Sequence, residues 1–144
     1  MKCLLDTHTL LWALFDKAKL SKRAQQLILD DENDIYVSAV SFWEISLKFG
    51  LGKLTLDNVV PDQLPHYAKK SGFELLPIEA ETASSSYRLP REAHSDPFDR
   101  LIVWQAIHEK MTLITKEDET ALPMISKEET AACILDKILE CMNK

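Results

Sequence analysis

Four short apolar runs, at residues 3–5, 35–38, 73–78 and 111–115, are separated from one another by longer stretches of helical periodicity. Runs this short, bounded by turn residues and rich in Val, Ile, Leu and aromatics, read as strands buried on both faces rather than as helices. Strands that alternate with helices leave little choice of architecture. Each strand must return parallel to the last, and the helices between them must cover both faces of the sheet. The pattern predicts an α/β fold, a three-layer α/β/α sandwich around a central, mainly parallel sheet of four to five strands. Pro123-Met124-Ile125 is the candidate for a fifth, weaker strand, and Pro77 marks the end or an edge of the third.

Helices are expected over 9–15, over 21–29 with Ser21 as N-cap, from Ser41 to about Gly50, over 61–71 closed by Gly72, over 79–87, and from Asp96 to about Lys110. A terminal helix over 126–144 carries Ala131, Ile134, Leu135, Ile138 and Leu139 on one stripe. There is no repeat, low-complexity tract or linker, so residues 1–144 read as a single domain with 126–144 as a C-terminal helical extension.

The chain is 46% hydrophobic and 28% charged, which excludes disordered, collagen-like and disulfide-scaffold classes. Its formal charge of −6 is unevenly spread. Through Gly72, nine basic residues balance nine acidic ones; the remainder holds eight basic against fourteen acidic. A nucleic-acid binder normally presents a cationic footprint, and none is evident in this balance. Cys3, Cys133 and Cys141 form no CxxC pair and are odd in number, as expected of reduced thiols. No apolar run approaches the roughly 18 residues of a membrane span, and Asp6 interrupts the stretch a signal peptide would need. The expectation is a cytoplasmic protein with no membrane partner.

The acids are better placed than the net charge suggests. Asp6 ends the first strand, Glu44 lies in the helix after the second, Asp96 and Asp99 open the helix before the fourth, and Glu117 and Asp118 follow it. Parallel α/β sheets collect ligands outside the carboxyl ends of their strands, where strand order switches. Carboxylates gathered there would repel one another unless one were protonated or a cation intervened. Hard oxygen ligands suit Mg²⁺ or Mn²⁺, and such a centre can activate water at a phosphodiester.

Each acid also has an ordinary structural use. Asp6 can cap the next helix, and Ser41-x-x-Glu44 has the form of a capping box. Asp96-Pro97-x-Asp99 is a standard helix start, while Glu117 and Asp118 can be solvated loop acids. His8, two residues after Asp6, and His94, two before Asp96, are close enough in sequence to reach the site, with a surface or hydrogen-bonded histidine as the ordinary reading; His66, His94 and His108 have no metal-ligand spacing among themselves. Lys48, Lys53 and Arg100 can meet phosphates or form ion pairs; Trp12, Trp43 and Trp104 fall in apolar helical patterns and are expected to pack.

At these positions the sequence resembles the PIN-domain family, and within it the VapC-like toxin ribonucleases of toxin–antitoxin pairs. The resemblance is carried by Leu4-Leu5-Asp6-Thr7-His8, by Ser41-Phe42-Trp43-Glu44-Ile45 with Lys48, and by Gly52-Lys53-Leu54. It continues through the run from His94 to Ile102, containing Asp96-Pro97-Phe98-Asp99-Arg100, and Leu113-Ile114-Thr115. It implies Mg²⁺- or Mn²⁺-dependent endonucleolytic cleavage of single-stranded RNA, an antitoxin protein that blocks the site, and a homodimer. Asp6, Glu44 and Asp99 match the family's three main acids, and Asp96 a frequent companion. The fourth acid departs from the pattern: Glu117 stands where the family usually has Asp, with Asp118 next to it. The tail beyond Ile125 also departs, since many relatives end soon after a last strand. Two rival readings remain. One is a PIN-like binding or scaffold module without catalysis; the other is a phospho-aspartyl enzyme, disfavoured because His8 stands where the haloacid-dehalogenase pattern needs Asp.

Overall fold

A computed structural model describes residues 1–90 and 96–115. His94, Glu117, Asp118, the expected fifth strand and the tail with Cys133 and Cys141 lie outside the described residues. Within them, β1 (Lys2–Leu5), β2 (Asp34–Ser38), β3 (Glu74–Leu76) and β4 (Thr112–Ile114) form one sheet in the order β3-β2-β1-β4, with every pairing parallel. Six α-helices accompany it: α1 (Thr7–Phe15), α2 (Lys22–Leu29), α3 (Ala39–Gly50), α4 (Leu64–Lys70), α5 (Ala80–Ser85) and α6 (Pro97–Glu109).

The two-residue period of the strands sorts the core into two faces. Cys3 and Leu5 of β1, Ile35 and Val37 of β2 and Ile114 of β4 point to one side, where they bury Leu10 and Ala13 of α1, Ala24 of α2 and Leu64 and Ala68 of α4. Leu4 and Leu113 point to the other, against Phe98, Ile102, Val103 and Ala106 of α6. The sheet is therefore covered on both faces, and the α/β/α arrangement expected from the sequence is the arrangement found. α3 belongs to both layers, with Ile45 in the first core and Val40 in the second.

β1 lies at the centre, with β2 on one side and β4 on the other. The chain moves outward through β2 and β3, then returns across the sheet to β4. The switch in strand order thus falls between β1 and β4, and it brings the carboxyl end of β1 beside that of β4, where the Asp6 amide donates to the Ile114 carbonyl at 3.0 Å.

Three segments differ from the sequence expectation. α3 starts at Ala39, directly on the end of β2, because the Ser38 hydroxyl accepts from the Val40 amide and caps the helix there. The 61–71 segment divides into a single 3-10 turn (Pro61–Gln63) and α4, ended by Gly72 at φ +89°. The 79–87 segment likewise ends in a 3-10 turn (Ser86–Arg88) after α5. No helix among the described residues is long and apolar enough to cross a membrane.

Candidate metal centre

The early start of α3 decides what Glu44 is for. With Ser38 as the cap, Ser41 is the third residue of the helix and Glu44 the sixth, so the Ser41-x-x-Glu44 capping box does not form. Glu44 instead turns inward and is only 3% exposed. A carboxylate buried that deeply must be hydrogen-bonded and compensated in charge. Its Oε1 accepts from the Thr7 hydroxyl at 2.6 Å, and its Oε2 accepts from the Lys48 ammonium one turn along the same helix. Thr7 and Ser41 hydroxyls lie 3.2 Å apart. Because Thr7 has one proton and gives it to Glu44, it accepts from Ser41, and the three side chains form one chain of bonds.

Asp96 and Asp99 reach the same place from the other layer. Asp96 is the N-cap of α6, its Oδ1 accepting from the Phe98 amide at 2.8 Å and the Asp99 amide at 3.3 Å, with Pro97 in the first turn where its missing N–H costs nothing. The cap fixes the Asp96 carboxylate and leaves its second oxygen outside the cap. α6 is held to α3 by a buried amide. Gln105, 2% exposed, accepts from the Ser38 hydroxyl at 2.6 Å and donates to the Pro77 carbonyl at 3.0 Å. One side chain thereby ties α6 to the ends of both β2 and β3.

The result is that Glu44, Asp96 and Asp99 each present a ligand atom within 4.8 Å of the others. A six-coordinate ion with bonds of about 2.1 Å spans roughly 4.2 Å between opposite ligands. The three acids are therefore a small side-chain adjustment away from sharing one ion, and their oxygens are the donors a hard divalent cation takes. The field they create is visible on Lys48. The hydrogen bond to Glu44 holds its ammonium pKa above the ordinary lysine value against the opposing effect of burial, with the charges of Glu44, Asp96 and Asp99 adding to the rise.

Asp6 stands apart from that trio. It caps α1, its Oδ1 accepting from the Thr9 amide at 2.8 Å, at the carboxyl end of the central strand. It adjoins Thr7, the donor to Glu44, and so borders the cluster without belonging to the group within 4.8 Å. Of the acids singled out by sequence, the fold thus brings together Glu44, Asp96 and Asp99, places Asp6 beside them, and leaves Glu117 and Asp118 outside the described residues.

Other residues take different roles. Arg100 donates to the carbonyls of Leu89 at 2.6 Å and Pro90 at 2.9 Å, tying α6 to the end of the 3-10 turn after α5. Lys53 is exposed. His8, His66 and His108 each lie against an aromatic ring of their own helix, Trp12, Tyr67 and Trp104 respectively. Trp104 is buried and donates to the Ser85 hydroxyl at 3.1 Å. Trp43 is not core: it is 59% exposed and meets Phe98 edge-on, ring centroids 4.8 Å apart, because α3 turns Glu44 rather than its neighbour inward. Thr7, Ser38, Ser41 and Gln105 were not foreseen as parts of the site. Their signal in the sequence is faint: Ser38, Ser41 and Gln105 are polar residues between apolar neighbours, and Thr7 sits between Asp6 and His8 with nothing to mark it.

A family model described as the PIN domain matches residues 3–122. No curated protein matches the chain. Among solved structures it is similar to the crystal structure of VapBC2 from Rickettsia felis bound to a DNA fragment from their promoter. The TM-score is 0.57 and the identity 20%, over 85% of this chain and 98% of that one. At that identity the likeness is one of fold.

Proposed function

Since the chain belongs to the PIN-domain family, whose members are generally nucleases, we propose that it is a divalent-metal-dependent endoribonuclease cleaving single-stranded RNA. In this reading it is the single-domain, cytoplasmic toxin of a toxin–antitoxin pair, blocked by a cognate antitoxin protein and working as a homodimer. The observation that carries the nuclease reading is the convergence of Glu44, Asp96 and Asp99 within 4.8 Å at the carboxyl end of a parallel sheet.

Glu44, Asp96 and Asp99 would hold Mg²⁺ or Mn²⁺, with Asp6 and either Glu117 or Asp118 completing the centre. The bound ion supplies charge neutralisation at the phosphate and a water acidic enough to attack it. The chain's own contribution is placement. Thr7 fixes one Glu44 oxygen, the α6 cap fixes Asp96, and the Gln105 bridge sets the spacing of the two helices that carry the acids. A metal held at the acids would reverse the local sign that a phosphate meets, so this reading does not require a broad cationic footprint.

A second reading, a PIN-like binding module without catalysis, draws on the caps: Asp6 and Asp96 both serve helix N-termini. The two separate cleanly. The nuclease should cut single-stranded RNA with Mg²⁺ or Mn²⁺, lose cutting in EDTA, and lose it in Glu44→Gln and Asp99→Asn. Absence of cutting with either ion, together with undiminished toxicity of Asp6→Asn and Asp99→Asn in cells, would overturn the proposal in favour of the module.

A further inference from the structure

Lys48 occupies the place where a cation is wanted. Its ammonium bonds Glu44 Oε2, and it lies in the electrostatic field of Asp96 and Asp99 as well. The two partners are unequal in their freedom. The Glu44 side chain is 4% exposed, and its other oxygen is anchored by Thr7. The Lys48 side chain is 36% exposed and hangs on a flexible four-carbon stem with a route to solvent.

We propose that Lys48 is the resident counter-ion of the acidic centre, and that it must leave Glu44 for a divalent metal to load. The inference rests on the metal-centre reading above and adds a competitor to it. A buried carboxylate without a partner is costly, so the metal-free protein needs a cation at Glu44, and the sequence supplies one a helical turn away. Loading then exchanges one cation for another around an acid that does not move, because Thr7 keeps its hold on Oε1 throughout. The displaced ammonium stays on α3 beside the centre, where an RNA phosphate would meet it.

The consequence is that Lys48 weakens metal binding rather than assisting it. Isothermal titration of the metal-stripped protein with Mn²⁺ should show Lys48→Met binding on the order of tenfold more tightly than wild type, the equivalent of about 1.4 kcal/mol. Lys48→Arg, which keeps the charge, should remain close to wild type. Equal or weaker binding by Lys48→Met, with wild type still saturable, would overturn the inference and leave the metal centre standing. No saturable binding by either protein would overturn both. A measurement on the unmodified chain guards against a variant that folds poorly. In ¹⁵N-lysine-labelled wild type, the Lys48 ammonium resonance, protected by its ion pair, should broaden or shift as Mg²⁺ saturates the site. A resonance unmoved by saturating Mg²⁺ would refute the exchange.

Discussion

Replacing Thr7 by Val tests whether Glu44 is held ready as an ionised ligand or merely buried. Valine keeps the β-branched shape and nearly the same volume, so the backbone at the end of β1 has no reason to move. What disappears is the hydroxyl that donates to Glu44 Oε1 at 2.6 Å and accepts from Ser41. Both sides of the bond are dry, Thr7 being 5% and Glu44 3% exposed, so water does not replace the lost donor. A hydrogen bond to a charged group contributes about 1.5–3 kcal/mol, and the Ser41 bond adds about 0.5–1.5 kcal/mol. The added methyl returns roughly 0.8 kcal/mol through burial. The net loss is about 1.2–3.7 kcal/mol, or a fall in Tm of roughly 4–12 °C for a chain of this size. Urea unfolding of the metal-free protein measures it. A double-mutant cycle with Glu44→Gln locates it, since the coupling between the two changes should reach about 1 kcal/mol or more. A loss below about 0.5 kcal/mol, or strict additivity, would refute the view that Thr7 holds an ionised Glu44.

Two further predictions separate structural from chemical roles. Asp96→Asn retains a capping oxygen and removes the charge, so stability should change by less than about 0.5 kcal/mol while Mn²⁺ affinity falls; Asp96→Ala should also lose about 1 kcal/mol of stability. If both variants bound Mn²⁺ like wild type, Asp96 would be a cap and nothing more. Burial pushes the Cys3 thiol above its ordinary pKa, so the folded chain keeps that proton to a higher pH than the unfolded chain does. The thiol's favourable contribution is therefore complete below the unfolded value of about 8.5 and declines as pH rises through and beyond it. The stability gap between wild type and Cys3→Ala, followed by urea unfolding from pH 7 to 10, should narrow; a constant gap would show that the thiol titrates alike in both states.

The sheet was legible because its signal is repetitive: four apolar runs spaced by helices specify parallel strands, and the two-face split of Cys3 and Leu5 from Leu4 follows from period two alone. The acids were legible as a set because each stands next to a strand end, yet their individual roles were not. Glu44 illustrates why. By spacing it belongs to a capping box with Ser41, and only the competition from Ser38, which caps α3 three residues earlier, releases it inward. Sequence rules rank Ser38 and Ser41 alike as caps. The choice between them is made by tertiary contacts, because the Ser38 hydroxyl is also fixed by Gln105, 67 positions away. No local pattern reports a bond of that range. Asp96 shows the converse, a residue whose cap is plain from Asp-Pro-x-Asp and whose cap is also the device that aims it at Glu44. For Asp96 the structural and functional readings were never alternatives. A cap needs an oxygen fixed at a helix N-terminus and a metal ligand needs an oxygen fixed in space, and a carboxylate has two.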